Sequence, residues 1–353
     1  LVAVQGAGEA SLGGTLSAGL SGAAITVSGG GVVAESVPEA APGRIVIRGG
    51  VLAFTDANVV SNNFAASPAQ PIELIADGDV RFSGGQLLSI AQGAGRGADI
   101  VAGGENVSVD RAAWVQATTL GSGRGGDVAL AARTRVSVIE TAADPDRTVV
   151  AAQTEAEGHG GDLRFSADTV RIDGAFVRNR TFAAGDAGRL VLEGRNVDVL
   201  NGASVAVETK AGSSGASAGL ALLASGRARI AGSNAFGEPA YVFSATEGTG
   251  AGGNVSIRAG ELAVLGGYLD TVTAGSGDGG ALSIDAGSVR IEAFGGYVGS
   301  VTSLSDAGAT GRAGAITVRA ADTVTVSGSG QNWLGGGFGP SLIATQNVGP
   351  GEG

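Results

Sequence analysis

Residues 248–303 contain two consecutive copies of one unit, GTGAGGNVSIRAGELAVLGGYLDTVTA and GSGDGGALSIDAGSVRIEAFGGYVGSVTS. Each copy opens with glycines spaced as G-x-G-x-x-G and continues with short stretches in which apolar and polar residues alternate. Such alternation is typical of β-strands with one buried face. In a dinucleotide-binding fold the last glycine of this pattern opens a helix, whereas here a strand follows it. The glycines therefore predict a tight turn with positive φ rather than a phosphate site.

The same unit recurs along most of the chain. The first residues of successive apolar pairs are separated by 27, 28, 28, 35, 27, 30, 35, 27 and 34 residues, a mean of about 30. A second pair follows each first pair after seven or eight residues, and a looser third one follows in several units, as in Val205/Val207 and Leu269/Val272. The first pairs are Ile45/Ile47, Ile72/Leu74, Ile100/Ala102, Val128/Leu130, Leu163/Phe165, Leu190/Leu192, Leu220/Leu222, Val255/Ile257, Leu282/Ile284 and Ile316/Val318.

A repeat of this length with three short strands predicts an all-β solenoid, a right-handed parallel β-helix of about 10–12 coils of roughly 27–35 residues. A propeller blade needs a fourth strand and more aromatic residues. We expect irregular or capping coils in residues 1–42, the β-helix in 43–327, and an irregular segment in 328–353 that serves as a cap or an inter-subunit contact. The longer intervals place insertions in 140–158 and 293–311, which we expect on the working face of the solenoid.

The composition excludes several classes of protein. The 353 residues include 65 glycines and no cysteine, so disulfides and thiolate metal sites are excluded. A net charge of −11 disfavours partners such as nucleic acid or anionic lipid. No apolar run approaches the roughly 20 residues of a membrane helix. The sequence contains no methionine, which predicts a processed chain or an internal fragment.

The repeats resemble those of filamentous-haemagglutinin-type exoproteins, the secreted partners of two-partner secretion systems. The resemblance covers roughly residues 43–327 and rests on G-x-G-x-x-G-[DN]-[IV]-x-[IV]-x-A, as in residues 248–259. It implies a β-helix rod that passes through an outer-membrane transporter and acts at the bacterial cell surface as an adhesin or fibre. The N-P-N-[GL] motif of that family's secretion domain does not occur in this sequence.

Three carboxylates occupy the same place in consecutive units. Asp99, Asp127 and Asp162 directly precede the first strand, and Arg189 follows them in the next unit. Stacked coils would bring the carboxylates within about 5 Å of each other, where a cation such as Ca²⁺ or Arg189 would relieve their repulsion. The other interpretation is an aspartate that hydrogen-bonds its own turn in each coil. The single histidine, His159, lies at a similar turn without a neighbouring ligand or catalytic partner, and we interpret it as a turn residue.

A polysaccharide-degrading lyase or hydrolase is the alternative function, because such enzymes also use β-helices. It would need paired acid and base groups, and the acidic residues at equivalent offsets do not fall in adjacent coils. We therefore assign no catalytic, cofactor-binding or metal residues, and expect a non-catalytic adhesive or structural rod. Its partners would be further copies of itself in a filament, or a surface glycan or protein. The residues considered for the enzyme are Asp110, Asp173, Glu292, Arg164 and Arg171, with Tyr268, Phe294 and Tyr297 as sugar platforms.

Overall fold

The computed structural model describes residues 16–36, 38–140, 147–333 and 337–347. Within these ranges the chain is all-β and contains no helix, so no helix that could cross a membrane is found among them. The short period-two stretches of the sequence each form strand, and many strands continue through a corner into the next. This confirms the all-β, solenoid-like class that the repeat predicts.

The strands follow one another at the repeat spacing. In the first half they are β1 Leu16–Ser28, β2 Gly31–Glu35, β3 Ile45–Asn63, β4 Ile72–Ala76, β5 Val80–Ala91, β6 Ile100–Asp110, β7 Trp114–Thr119, β8 Val128–Ile139, β9 Val149–Thr154, β10 Leu163–Ser166, β11 Thr169–Asp173 and β12 Phe176–Thr181. In the second half they are β13 Leu190–Leu200, β14 Ser204–Thr209, β15 Leu220–Ala231, β16 Tyr241–Thr246, β17 Val255–Leu265, β18 Tyr268–Thr273, β19 Leu282–Glu292, β20 Ser300–Ser305, β21 Ile316–Ser327, β22 Ser329–Asn332, β23 Gly337–Pro340 and β24 Leu342–Asn347.

Parallel pairing joins equivalent strands of successive repeats into one continuous sheet that bends at its corners, and we call its three faces the first, second and third sheets. In the first sheet the aligned residues are Leu16, Ile45, Ile72, Ile100, Val128, Leu163, Leu190, Leu220, Val255, Leu282 and Ile316. In the second sheet they are Ile25, Leu52, Val80, Val107, Val136, Val170, Val197, Ala228, Leu262, Val289 and Val324. In the third sheet they are Val32, Val59, Leu87, Val115, Val150, Val177, Val205, Val242, Leu269, Val301 and Ile343.

The first two apolar pairs of each repeat are therefore in register throughout the stack. Their side chains form the buried core up to β19, whereas those of β21 are partly or largely exposed. The third pair is only partly as expected. Val205 and Val207 point inward, but Leu269 is followed inward by Thr271, which is buried, whereas Val272 lies on the outer face beside Ala245. The prediction of the pair Leu269/Val272 is wrong because the inward position of this strand is polar in several repeats, so the sequence shows no clear alternation of apolar and polar residues there.

Inward hydroxyl groups hold the glycine turns. Thr119, Thr154, Thr181, Thr209, Thr246, Thr273 and Ser305 stack at the end of the third sheet. The hydroxyl of Thr181 donates to the carbonyl of Gly185, and Thr273 donates to Gly277 in the same way. A buried carbonyl needs such a partner, so the hydroxyls that bond, among them those of Thr181 and Thr273, fix the turns that follow them, whereas the hydroxyls of Thr209 and Thr246 have no partner.

The turn glycines are required by close packing rather than by their own backbone angles. None of the three glycines of residues 248–253 or 275–280 that define the motif has positive φ, contrary to the expectation from sequence. A side chain at Gly126 would instead overlap the carbonyl of Ala98, and one at Gly161 would overlap the carbonyl of Gly126. Successive coils thus touch backbone to backbone at this corner.

The described parts of both terminal segments also pair with the stack, whereas residues 1–15 and 348–353 lie outside the described residues. In residues 1–42, β1 and β2 pair in parallel with β3. In residues 328–353, β24 pairs with β20 and completes a further coil, while β22 and β23 form an antiparallel hairpin inserted before it. The period is lost from the sequence here because the hairpin separates the second and third strands by fourteen residues, 328–341.

Candidate functional site

The insertions project from one corner, the connection between the second and third sheets. In several coils this connection is only two or three residues long, as at Gly266–Gly267 between β17 and β18. Elsewhere it becomes a small hairpin closed by an antiparallel bridge or ladder, in residues 233–239, 294–297 and 329–340. We call these three hairpins the hairpin ridge.

The hairpins of the ridge contact one another. Tyr297 of the second hairpin forms a parallel bridge with Gln331 of the third, and the amide of Gln331 donates to Gly296 at 2.8 Å. The hydroxyl of Tyr297 lies against Gly237 of the first hairpin, within 2.7 Å of where a β-carbon would be. The ridge therefore continues along the stack across the coil that lacks an insertion.

Aromatic side chains are exposed along the ridge. Their exposed fractions are 62% for Phe236, 53% for Phe294, 44% for Trp333 and 79% for Phe338. Aromatic residues with one open face are typical of surfaces that bind a partner. The sequence prediction that insertions gather on one face therefore holds for the described hairpins, of which 294–297 lies in the predicted insertion 293–311. Residues 141–146 of the predicted insertion 140–158 lie outside the described residues. Phe294 is exposed as a sugar platform would be.

The ridge is anchored to an aromatic cluster on the outer face of the third sheet. Tyr241 of β16 and Tyr268 of β18 are adjacent across strands, and both pack edge-to-face with Trp333 at 6.2 and 6.4 Å between ring centroids. The hydroxyl of Tyr268 accepts the amide of Trp333 at 2.7 Å. Tyr268 is fully buried, so the prediction that it offers a sugar platform is wrong; it holds the third hairpin instead.

A carboxyl group is buried within this cluster. Asp270 of β18 has no exposed surface; its Oδ1 accepts the amide of Thr302 at 3.1 Å and the Thr302 hydroxyl, while Oδ2 has no hydrogen-bond partner. Burial raises the pKa of Asp270 to about 7, although the hydrogen bonds from Thr302 act in the opposite direction. Burial, and next the charge of Asp270, hold the pKa of Tyr241 well above its usual value. Because Asp270 has no exposed surface, the glycosidic bond of a polysaccharide cannot reach its carboxyl group while the surrounding side chains stay in place.

A charged network continues from the cluster toward the N-terminal coils. Arg147, which is nearly buried, forms an ion pair with Glu238 of the first hairpin and lies 4.7 Å from the Phe176 ring centroid. Arg178 stacks on the same ring at 3.9 Å, and burial lowers the pKa of Arg178. Arg147 thereby ties the connection after β8 to the hairpin after β15, three coils farther along.

The aspartate row is stacked as its spacing predicts. The carboxylate of Asp99 accepts the amide of Asp127 at 2.8 Å, that of Asp127 accepts the amide of Asp162 at 2.8 Å, and that of Asp162 accepts the amide of Arg189 at 2.7 Å. Arg189 thus contributes its backbone rather than its guanidinium group. Each carboxylate serves the turn of the following coil.

Arginines between the aspartates balance the charge of this row. Arg96 contacts Asp99 at 2.6 Å and Asp127 at 2.8 Å, and Arg124 contacts Asp127 at 2.9 Å and Asp162 at 3.4 Å. Both arginines lie three residues before an aspartate of the row, so the spacing R-x-x-D in the sequence would have predicted these ion pairs. No cluster of three metal-ligating side chains occurs in the described part of the chain.

Most of the remaining candidates lie outside the ridge, and Glu292 ends β19 directly before its second hairpin. His159 accepts the amide of Asp186 through Nδ1 at 3.2 Å, so it does bind a turn. Asp110 and Asp173 align at one register position, separated by Ile139, and Glu292 lies several coils away. The residues considered for an enzyme form ion pairs instead, namely Asp110 with Arg81, Asp173 with Arg171, Glu292 with Arg290 and Arg164 with Glu193.

Comparison with known proteins finds no matching family model, no similar curated protein and no solved structure with significant similarity. The candidate site is therefore defined by the geometry of this chain alone.

Proposed function

We propose that the chain is a non-catalytic adhesive or structural rod that acts outside the cell, and that its solenoid is a right-handed parallel β-helix. The observation that carries this proposal is the hairpin ridge, which presents Phe236, Phe294, Trp333 and Phe338 in series along one corner of a rigid stack. Right-handed crossovers are the strong preference for parallel strands. Secretion through an outer-membrane transporter, as in the filamentous-haemagglutinin-type exoproteins that the repeats resemble, is part of the proposal.

The rod suits adhesion because a series of weak contacts adds up. Each hairpin offers one or two rings, which are large apolar contacts with little conformational freedom to lose. Repeating such contacts along one surface raises the overall binding strength without a deep pocket. The backbone ladders and the apolar core keep the rings in fixed relative positions.

The test is capture of the purified chain on a printed array of glycans and extracellular-matrix proteins. The variant Phe236→Ser, Phe294→Ser and Phe338→Ser should lose about tenfold or more in apparent affinity for any captured spot, since 1.4 kcal/mol corresponds to tenfold. Phe64→Ser, a partly exposed phenylalanine in the connection after β3, is the matched control and should bind as the parent does.

Two results would count against this function. Equal capture of the parent and the triple variant would remove the ridge from binding. Release of unsaturated or reducing sugar ends from polygalacturonate or alginate would favour the alternative, a polysaccharide-degrading enzyme.

A further inference from the structure

A surface pocket lies on the third sheet in the N-terminal coils, away from the hairpin ridge. Its volume is about 550 Å³, within the range of small-molecule sites. We call it the Trp114 pocket. It is lined by Asp56, Asn58, Gly85, Gln86, Ala112 and Trp114.

Three of its side chains form one row along the stack. Asn58 of β3, Gln86 of β5 and Trp114 of β7 are register neighbours on parallel strands. Equivalent residues on neighbouring strands are about 4.8 Å apart. All three are exposed, and Trp114 keeps 40% of its surface open. Two carboxamides thus lie beside the ring of an indole.

The polar groups of the pocket are not used by the protein. Among the described residues, the side chains of Asp56, Asn58 and Gln86 form no hydrogen bond or ion pair. Each carboxamide offers two donors and an acceptor, and the carboxylate offers acceptors only. By contrast Asn62, four residues after Asn58 on the same face, is bonded to Gln92 and Glu35.

The corner above the pocket has a strained backbone. Asp56, Arg111 and Ala112 have φ of 48°, 57° and 56°, which side chains rarely adopt. The amide of Ala112 is held by the carboxylate of Glu140 at 2.9 Å and the hydroxyl of Thr148 at 3.0 Å. Such a strained backbone persists where the surrounding contacts hold it in place, and it is found most often at functional sites such as binding sites.

The backbone beside the pocket requires glycine at position 85. The φ of Gly85 is 72°, and a β-carbon there would overlap the backbone of Ala57. A larger residue at this position would therefore strain the turn that lines the pocket.

We propose that the Trp114 pocket binds a neutral hexose unit of a glycan. The apolar face of the sugar stacks on the Trp114 ring, and its hydroxyl groups bond to Asn58, Gln86 and Asp56. The proposal rests on the proposed adhesive function and names the ligand class for one site on the rod.

The chemistry of the pocket selects a neutral sugar. The carboxylate of Asp56 accepts hydrogen bonds from hydroxyl groups but repels a carboxylate or sulfate at the same place. An apolar peptide side chain would leave three polar groups without partners, which costs affinity. The row runs along the stack axis, so a glycan chain lying in that direction would present successive units to Asn58, Gln86 and Trp114.

The experiment uses tryptophan fluorescence, since the chain has two tryptophans. Trp333→Phe leaves Trp114 as the sole reporter, and the protein is titrated with neutral hexaoses of glucose, galactose and mannose and with oligogalacturonate. We expect at least one neutral hexaose to change the Trp114 emission saturably, with a Kd in the millimolar range or tighter, and oligogalacturonate to bind at least tenfold more weakly.

The variants separate recognition from general damage. Asn58→Ala and Gln86→Ala should each weaken the neutral hexaose at least fivefold in the Trp333→Phe background, whereas Asn62→Ala should leave its Kd unchanged. Three results would each overturn the proposal. They are no saturable change with any neutral hexaose, a Kd in Asn58→Ala and Gln86→Ala equal to that of the Trp333→Phe background, and tighter binding of oligogalacturonate than of any neutral hexaose.

The outcome is distinguishable from that of the proposed function. Ridge-dependent capture on the array without any sugar response at Trp114 rejects the pocket and keeps the adhesive rod. A sugar response at Trp114 without ridge-dependent capture keeps the pocket proposal and rejects adhesion through the ridge. Capture of a protein spot that requires Trp114, with no response to sugars, would replace the glycan by a protein partner and overturn the pocket proposal.

Discussion

A single methyl group separates tolerated from disruptive changes within the turn GHGG, residues 158–161. A β-carbon at Gly160 would make ordinary contacts of 3.5 Å or more, whereas one at Gly161 would overlap the carbonyl of Gly126 in the preceding coil. Neither glycine has positive φ, so backbone preference does not distinguish them. The difference is one of distance between coils.

We therefore expect Gly161→Ala to lower the free energy of unfolding by about 2–3 kcal/mol, as overpacking does. Gly160→Ala should leave it unchanged or raise it by about 0.5 kcal/mol, because alanine loses less entropy on folding. Urea unfolding of the two variants measures both. Equal midpoints for them would show that the coils do not meet at this glycine.

These glycines also show where sequence reasoning stops. The register of Ile45 with Ile72 and its successors follows from the repeat period and the alternation alone, because apolar side chains of successive coils must all face the interior to be buried. Contact between Gly126 and Ala98 does not, since it depends on how closely two backbones approach. The burial of Tyr268 was missed for a similar reason: the hairpin that covers it comes from residues more than sixty positions away.

At the scale of elements, the outer face of the third sheet holds its buried carboxyl group between β16, β18 and β20. Asp270 aligns with Phe243 on one side and with Thr302 on the other. A carboxyl group that stays protonated in this position ties the stability of the three strands to pH.

The direction follows from the raised pKa of Asp270. Between its usual value of 3.8 and its folded value of about 7, the folded chain keeps a proton that the unfolded chain releases. Stability from this group is therefore fully present below pH 3.8 and is lost as pH rises toward 7. Each pKa unit corresponds to about 1.4 kcal/mol, which gives about 4 kcal/mol over the window.

Asp270→Asn should flatten this dependence, because the carboxamide does not ionise. Differential scanning calorimetry from pH 4 to pH 8 should show a falling melting temperature for the parent and a smaller fall for the variant. Asp285→Asn, at an exposed carboxylate of β19, is the control and should follow the parent. Identical slopes for the parent and Asp270→Asn would contradict the burial of an acidic group here.

At the scale of the whole molecule, the apolar interior of the described stack is exposed in its last coil. The row that is buried in every earlier coil reaches the surface in β21, where Val324 is 49% and Val326 is 41% exposed. Among the described residues, β21 pairs with β19 and its second edge has no strand beside it. An unpaired edge above an exposed apolar row is a template for another strand.

We expect this end to associate with a second copy of the chain, which would extend the rod along its axis. Head-to-tail contacts of this kind propagate when they do not close into a ring. Sedimentation velocity at increasing concentration should therefore show species larger than the 34.0 kDa chain. The variant Val324→Lys with Val326→Lys should remain at that mass, because it places two charges in the row that the next coil would cover.

Leu120→Lys tests whether the loss is specific to the end. Leu120 is 44% exposed, similar to the two valines, but follows β7 in the middle of the stack. It should associate as the parent does. If the double variant still forms the larger species, or if Leu120→Lys abolishes them, the contact lies on the side of the rod rather than at β21.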